Sequence, residues 1–108
     1  MTRFSTVLKA SELSAGEMKT VTVKGTEIVV ANVEGRFCAF GNSCPHEEAP
    51  LVDGEIDGDA VVCPWHFTRF NVDTGEAIEG VTDEPIPVYE VRLDGDHVQI
   101  AEPGNESS

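Results

Sequence analysis

The residues of this chain whose types and spacing could do chemistry are two cysteine–histidine pairs. Cys44 and His46 are separated by one residue, Cys63 and His66 by two, and sixteen residues lie between the pairs. Thiolate and imidazole ligands in a tetrahedral set suit either zinc or an iron–sulfur centre. Each short loop can direct one sulfur and one nitrogen the same way, so two such loops can hold a metal centre between them.

The order of the ligands favours iron over zinc. Zinc fingers usually place a pair of cysteines before a pair of histidines, at narrow spacings. Here each loop mixes the two types, as in a Rieske [2Fe-2S] centre, where two histidines replace two cysteines on one of the two irons. A zinc-binding interaction module stays open as an alternative interpretation.

The pattern C-x-H-x16-C-x2-H resembles the Rieske family at its defining positions. The match continues through Asp53-Gly54, Gly58-Asp59, Phe70, Thr74-Gly75 and residues 85–89. In length and content the chain is similar to the free-standing bacterial Rieske ferredoxins that supply electrons to aromatic-ring dioxygenases. The resemblance implies one Rieske-type [2Fe-2S] cluster. Cys44 and Cys63 would bind the inner iron. His46 and His66 would bind the outer iron, near the surface.

The same resemblance implies a soluble one-electron carrier that is not itself an enzyme. Such a carrier accepts electrons from a flavin-containing ferredoxin reductase and passes them to a terminal oxygenase in aromatic hydrocarbon catabolism. The small Rieske-like subunit of a nitrite reductase is an alternative within the resemblance. A dioxygenase catalytic subunit is excluded, because its mononuclear iron domain has no room in 108 residues.

The charge of the chain limits its partners. The 108 residues include 20 acidic and 7 basic side chains, which give a formal net charge of −13. This charge disfavours nucleic acid and anionic membrane surfaces, since both attract Lys and Arg. It favours a basic protein partner. We expect a monomer that binds neither nucleic acid nor membrane.

Composition also predicts the compartment. The N-terminal segment contains Arg3, Lys9 and Glu12 and lacks the apolar run of a signal peptide. No stretch approaches the roughly 18 apolar residues of a membrane span. Two of the three cysteines are assigned to the metal, so no internal disulfide can form while it is bound. These features predict a cytoplasmic protein, in which Cys38 is a buried structural thiol.

Runs of β-branched residues bounded by Gly, Asp and Asn predict an all-β chain. We expect strands at residues 4–9, 19–23, 27–33, 36–42, 60–63, 70–71, 88–93 and 98–101. Lys24-Gly25, Glu34-Gly35 and Asp94-Gly95 are predicted hairpin turns, where glycine can adopt positive φ. Residues 11–17 are predicted to form one helical turn that Gly16 ends.

We expect a single Rieske domain with two parts. Residues 41–82 contain both cysteine–histidine loops and are predicted to form a cluster-binding subdomain. Residues 1–40 and 83–108 are predicted to form the base, which the family resemblance implies is an antiparallel β sandwich or barrel. The polar residues 102–108 are predicted to be a frayed tail.

Several positions depart from the family pattern. Membrane-bound, high-potential relatives carry a disulfide between the loops, and Ala49 and Trp65 occupy the positions of its cysteines. Thr68 and Phe70 stand where those relatives have a Ser and a Tyr hydroxyl, and Phe70 cannot donate a hydrogen bond. Asn71 replaces a common Asp. Fewer donors to the cluster stabilise the added electron less, which predicts a low reduction potential.

Two further features are interpreted as structural. Residues 53–58 resemble a calcium loop, but its twelfth position, which needs a bidentate Glu, is Pro64. We therefore expect ordinary turns there. His97 follows a predicted turn and lies far in sequence from both cysteine–histidine pairs, so we expect a solvated side chain.

Overall fold

The computed structural model describes residues 3–42, 50–64, 68–79 and 85–102. Within these ranges the chain forms β-strands and short 3₁₀ turns, with no α-helix, which confirms the predicted all-β class. The strands are β1 (Phe4–Lys9), β2 (Met18–Val23), β3 (Thr26–Val33), β4 (Arg36–Gly41), β5 (Glu55–Asp57), β6 (Ala60–Val62), β7 (Arg69–Asn71), β8 (Ala77–Glu79), β9 (Val88–Tyr89), β10 (Val91–Asp94) and β11 (His97–Ala101). None of the described helical segments has the length and hydropathy of a membrane span.

The strands form three antiparallel sheets. The first sheet has the order β1-β11-β10, the middle sheet β2-β3-β4-β9, and the third sheet β5-β6-β7-β8. The third sheet is a meander in which each strand pairs with its neighbour in the chain. It lies between β4 and β9 in the sequence, so the first and middle sheets are built from the chain on either side of it.

Two apolar cores separate the sheets. The base core, between the first and middle sheets, contains Leu8, Leu13, Val23, Ile28, Val30, Ala39, Val98 and Ile100. The second core, between the middle and third sheets, contains Val29, Ala31, Val33, Cys38, Phe40, Leu51, Val61, Cys63, Phe70, Val72 and Ile86. The middle sheet is therefore covered on both faces. A strand buried on both faces needs a continuous apolar run, and residues 28–31 of β3 supply one.

The first two predicted hairpin turns are confirmed. Lys24 and Gly25, between β2 and β3, have φ values of 54° and 79°. Glu34 and Gly35, between β3 and β4, have φ values of 54° and 95°. Positive φ at both central residues is the requirement of a type I′ turn, whose twist matches that of the flanking strands.

Two local predictions are wrong by a few residues. The third hairpin turn consists of Gly95 and Asp96, one residue later than predicted, because Asp94 still pairs with His97 across the hairpin. The helical turn predicted at residues 11–17 is instead a 3₁₀ turn at Ala10–Glu12.

One strand prediction also needs correction, and two short strands are missed. The strand predicted at residues 88–93 is divided at Glu90, because β9 pairs with β4 in the middle sheet while β10 pairs with β11 in the first. The strands β5 and β8 are not predicted from the sequence. Each has only three residues, and hydrogen bonding to β6 or β7 keeps it extended.

Candidate metal centre

The described residues include one of the four predicted ligands, Cys63. Cys44, His46 and His66 lie outside them. We call residues 43–49 the first ligand loop and residues 64–67 the second ligand loop. The residues at both ends of each loop are described. They show how the fold places the ends of the two loops near each other.

Cys63 directly follows β6 and is fully buried in the second core. Its backbone N–H donates to the carbonyl oxygen of Thr68, with an N···O distance of 2.8 Å, which closes the second ligand loop. The two described cysteines, Cys38 and Cys63, form no disulfide. Cys63 therefore offers an unpaired sulfur at the base of a short loop, which suits a soft metal ligand.

Asn42 closes the first ligand loop. Its carbonyl oxygen accepts a hydrogen bond from the Leu51 N–H at 2.9 Å, and its side-chain Oδ1 accepts one from the Val52 N–H at 3.0 Å. Its Nδ2 donates to Oε1 of Glu27, in β3, at 3.2 Å. The side chain is 9% exposed. Both ends of the first loop are thus joined to each other and to the middle sheet.

Gly54 brings the segment after the first ligand loop close to the strand before the second. The chain leaves the first loop through a 3₁₀ turn at Leu51–Asp53, and Gly54 N–H donates to Leu51 O at 2.9 Å. A Cβ at Gly54 would lie 1.8 Å from the carbonyl oxygen of Val62, so only glycine allows this approach. Because Val62 precedes Cys63, the exit of the first loop packs against the start of the second.

Both ligand loops follow strands that begin at the same end of the molecule. β4 runs from Arg36 toward the first loop, and β6 runs from Ala60 toward Cys63. Arg36 donates to Asp59, in the β5–β6 turn, at 3.1 Å and to Asp73, after β7, at 3.0 Å. These ion pairs join the middle and third sheets far from the loops. They are exposed, so each contributes at most about 1 kcal/mol.

Cys38 is the structural thiol that the sequence predicts. It is 6% exposed and packs in the second core. Burial raises its pKa from 9.0 to about 11, and the Asp73 carboxylate, 3.6 Å from the sulfur, contributes to that rise. The thiol is therefore protonated at neutral pH and is a poor metal ligand.

Three departures from the family pattern have clear surroundings. Phe70 is fully buried opposite Val61 and offers no hydroxyl, as expected. Thr68 is also fully buried, and its backbone carbonyl holds Cys63. Asn71 Oδ1 accepts hydrogen bonds from the backbone N–H groups of Asp73 and Thr74, at 2.8 and 3.0 Å. An Asp carboxylate could accept the same two bonds, so this substitution preserves the turn.

Residues 53–58 and His97 have the local structure that the sequence analysis expects. Residues 53–58 form the end of a 3₁₀ turn, strand β5 and a tight turn, and Asp57 pairs with Arg69. The described ranges contain no group of three or more side chains suited to a metal ion. His97 is exposed at the start of β11.

Sequence reasoning missed Asn42 and Glu27, and it named Gly54 only as part of the family match. An Asn at the end of a predicted strand, directly before a loop, is a signal for side chain-to-backbone hydrogen bonds. Glu27 lies 15 residues earlier in the chain, and only the pairing of β3 with β4 brings it to Asn42.

Comparison with known proteins gives consistent matches over most of the chain. A family model described as the Rieske [2Fe-2S] domain matches residues 3–90. The ferredoxin component of a naphthalene 1,2-dioxygenase system from Pseudomonas aeruginosa is 37% identical over 89 residues. That alignment covers 82% of this chain and 86% of the relative.

Solved structures share both the fold and part of the sequence. The ferredoxin of carbazole 1,9a-dioxygenase from Nocardioides aromaticivorans IC177 superposes with a TM-score of 0.87 at 29% identity, covering 92% of this chain and 97% of that one. A chain from a complex of reduced oxygenase and oxidized ferredoxin in carbazole 1,9a-dioxygenase gives 0.85 at 32% identity. That match covers 91% of this chain and 92% of the other.

Proposed function

Since the chain belongs to the Rieske [2Fe-2S] domain family, we propose that its two cysteine–histidine pairs hold the cluster. Cys44 and Cys63 bind the inner iron, and His46 and His66 bind the outer iron. The chain carries a Rieske-type [2Fe-2S] cluster, which supplies one-electron chemistry when bound. The observation that carries the assignment is Cys63, a buried and unpaired thiol beside the exit of the closed first loop.

The chain is an electron carrier and not a catalytic subunit. The relatives that it matches over most of their own length include ferredoxin components of dioxygenase systems. The protein contributes burial on the cysteine side of the cluster, through the second core, and fixes the spacing of the loops through Asn42 and Gly54. These are the contributions that a protein makes to the chemistry of its cofactor.

The partners follow from the same relatives. The chain receives an electron from a flavin-containing reductase and passes it to a terminal oxygenase that acts on an aromatic ring. Support for the oxygenase comes from the solved complex of oxygenase and ferredoxin, one chain of which is 32% identical to this chain. The acidic charge of −13 supports basic docking surfaces on these partners.

Two alternatives, a nitrite reductase subunit and a zinc module, receive less support. The relatives at 30% identity or above that cover most of this chain and of their own length are dioxygenase ferredoxins. A zinc module receives less support because the family model that matches the chain is described as a [2Fe-2S] domain.

The proposal extends to organisation and compartment. Residues 41–82, which include the third sheet, act as the cluster-binding subdomain of a single Rieske domain. Residues 1–40 and 83–108 act as its base. The chain works as a monomer in the cytoplasm, where an unpaired thiol such as that of Cys38 stays reduced.

The metal and the transfer can be tested together. The purified chain should contain the iron and acid-labile sulfide of one [2Fe-2S] cluster and give a Rieske-type electron paramagnetic resonance (EPR) spectrum after reduction. Mixed with an aromatic-ring oxygenase in a stopped-flow instrument, the reduced chain should reoxidise as the oxygenase is reduced. Stoichiometric zinc, or transfer to a nitrite reductase and not to the oxygenase, would overturn the proposal.

The two described cysteines provide a matched control. Cys63→Ala should abolish the cluster, its spectrum and the transfer, since it removes a ligand to the inner iron. Cys38→Ala removes a thiol from the same core and should retain all three. Equal loss of the cluster in both variants would show that packing, and not ligation, explains the effect of Cys63.

A further inference from the structure

Asn42 is a buried polar residue close in sequence to the predicted ligands. It directly follows β4 and lies two residues before Cys44. Its backbone and side chain together make three hydrogen bonds, to Leu51, Val52 and Glu27. The Leu51 and Val52 partners lie on the far side of the first ligand loop. A single residue therefore joins the start and the end of that loop.

Glu27 fixes the orientation of the Asn42 amide. Its carboxylate can only accept hydrogen bonds when ionised, so the atom facing it must be the Nδ2 donor of Asn42. The Oδ1 acceptor is then directed at the Val52 N–H. A charge-assisted hydrogen bond is stronger than a neutral one, so Glu27 selects one of the two amide orientations.

Asn32 is a natural counterpart of Asn42. It is 7% exposed, its Nδ2 donates to Leu13 O at 2.8 Å, and its Oδ1 accepts from Gly35 N–H at 2.7 Å. Its amide therefore also joins two chain segments through one donated and one accepted bond. Asn32 lies five residues further along β3 than Glu27, about 16 Å away at about 3.3 Å per residue.

We propose that Asn42 is a positioning residue for the first ligand loop and that Glu27 sets its orientation. Asn42 holds the loop ends at the separation from which Cys44 and His46 reach the iron atoms. Loss of this link leaves the fold intact but changes the geometry and retention of the cluster. The inference rests on the proposed assignment of Cys44 and His46 as ligands.

The first test compares Asn42→Ala with Asn32→Ala in the cluster-loaded protein. Each removes one buried amide, so each should destabilise the fold by a similar amount. With an iron chelator, Asn42→Ala should lose its cluster about tenfold faster than wild type, because the partly buried Val52 N–H, left without its acceptor, weakens the loop closure. Its EPR lines should also broaden. Asn32→Ala should keep the wild-type spectrum and a loss rate within about twofold of wild type.

The second test exchanges the amide and the carboxylate between positions 42 and 27. Asn42→Asp places a carboxylate against that of Glu27, so cluster loss should be faster than in wild type. Adding Glu27→Gln supplies an amide that can donate to the introduced carboxylate, while that carboxylate still accepts from the Val52 N–H. The formal net charge of the double variant equals that of wild type. The double variant should therefore recover the wild-type EPR spectrum and most of the retention. Glu27→Gln alone should stay close to wild type, because its amide can present an oxygen to Asn42.

The experimental outcomes distinguish failure of this inference from failure of the proposed function. A wild-type chain without a Rieske spectrum would overturn the ligand assignment. A normal wild-type spectrum, with Asn42→Ala no different from Asn32→Ala, would overturn the role of Asn42 alone. If the double variant folds, by circular dichroism, and does not recover, the role of Glu27 is wrong. Should Asn42→Asp fail to fold, Glu27→Ala tests the same link, and it should shift the spectrum in the same way as Asn42→Ala.

Discussion

At the scale of single residues, the second core contains two buried thiols whose surroundings differ. Cys63 lies at the base of the second ligand loop, with its N–H bonded to Thr68. Cys38 lies in the middle of β4, near the Asp73 carboxylate. A negative charge beside a buried thiol opposes its ionisation, and the thiolate is the form that binds metal. Asp73 therefore helps to keep Cys38 from competing for iron with Cys63, the proposed ligand.

The raised pKa of Cys38 predicts a loss of stability in alkaline solution. The folded protein retains the thiol proton until about pH 11, whereas the unfolded chain releases it near 9.0. The contribution of Cys38 is therefore complete below pH 9 and falls as the pH rises toward 11. The free energy of unfolding should decrease by about 2 kcal/mol across that range from this residue alone.

Cys38→Ala isolates this effect, because other groups that titrate in the same range are common to both proteins. Urea unfolding at about pH 8 and about pH 10.5 should give a smaller decrease in the variant than in wild type. The comparison uses the change with pH and not the absolute stability, which the smaller side chain also lowers. Parallel curves for the two proteins would contradict the raised pKa.

Short elements position the ligand loops, and at one of them, Gly54, the Val62 carbonyl leaves no room for a Cβ. Gly54→Ala would bring a methyl group against the Val62 carbonyl, which is backbone and cannot rotate away. The variant should lose about 1–3 kcal/mol of unfolding free energy. It should also lose its cluster faster under a chelator, since the exit of the first loop moves away from Cys63.

Gly58 offers a control within the same hairpin. It has a φ of 63°, and a Cβ there would meet nothing within 4 Å. Gly58→Asn should therefore cost about 1 kcal/mol or less, because Asn tolerates a left-handed backbone. Chelator experiments should show wild-type cluster retention in Gly58→Asn. Equal cluster loss in both variants would mean that hairpin strain, and not the contact with Val62, controls retention.

The strands of the base are largely predictable from sequence, because their signal is local. Continuous apolar residues at 28–31 indicate a strand buried on both faces, and the Lys24-Gly25 and Glu34-Gly35 pairs indicate its turns. The short strands β5 and β8 have no such signal. Ile56 is the only apolar residue of β5, and the strand exists because it pairs with β6. The break at Glu90 arises where the chain changes sheets, which no local pattern encodes.

The ligand types of the candidate site can be predicted from the sequence. The contacts that hold its loops in place cannot. Cysteine and histidine residues at these spacings indicate a metal centre, since few other kinds of site use this set of side chains. The link from Asn42 to Glu27 depends on strand register, and the packing of Gly54 on Val62 depends on the β5–β6 pairing. Both arise only after the sheets assemble.

At the scale of the whole molecule, the charge is concentrated in the segment of the chain that contains the ligand loops. Residues 41–82 contain nine acidic residues and one basic residue, Arg69. This segment therefore carries a net charge of −8, out of −13 for the chain. An asymmetric charge orients a molecule as it approaches a partner of opposite sign. A basic partner should therefore meet the cluster-binding part first.

Neutralising the acids beside His46 should slow association with the oxygenase. Glu47→Gln with Glu48→Gln should lower the association rate roughly threefold to tenfold at low salt and flatten its dependence on ionic strength. Glu34→Gln with Asp94→Asn removes the same charge from exposed positions in the base. This control pair should change the rate less, as measured by stopped-flow at several salt concentrations. Equal effects from both pairs would mean that net charge alone governs the encounter.

The pairing of β1 with β11 has a consequence for the order in which the chain folds. Phe4 pairs with Ala101, and Ser5 bonds to Glu102, across a sequence separation of 97 residues. The β2–β3–β4 hairpins and the third sheet, by contrast, join strands that are neighbours in the chain. Contacts between distant residues require closure of a long loop and form slowly. We therefore expect the two ligand loops to be in place before the first sheet closes, so that iron can enter a chain whose ends are still apart.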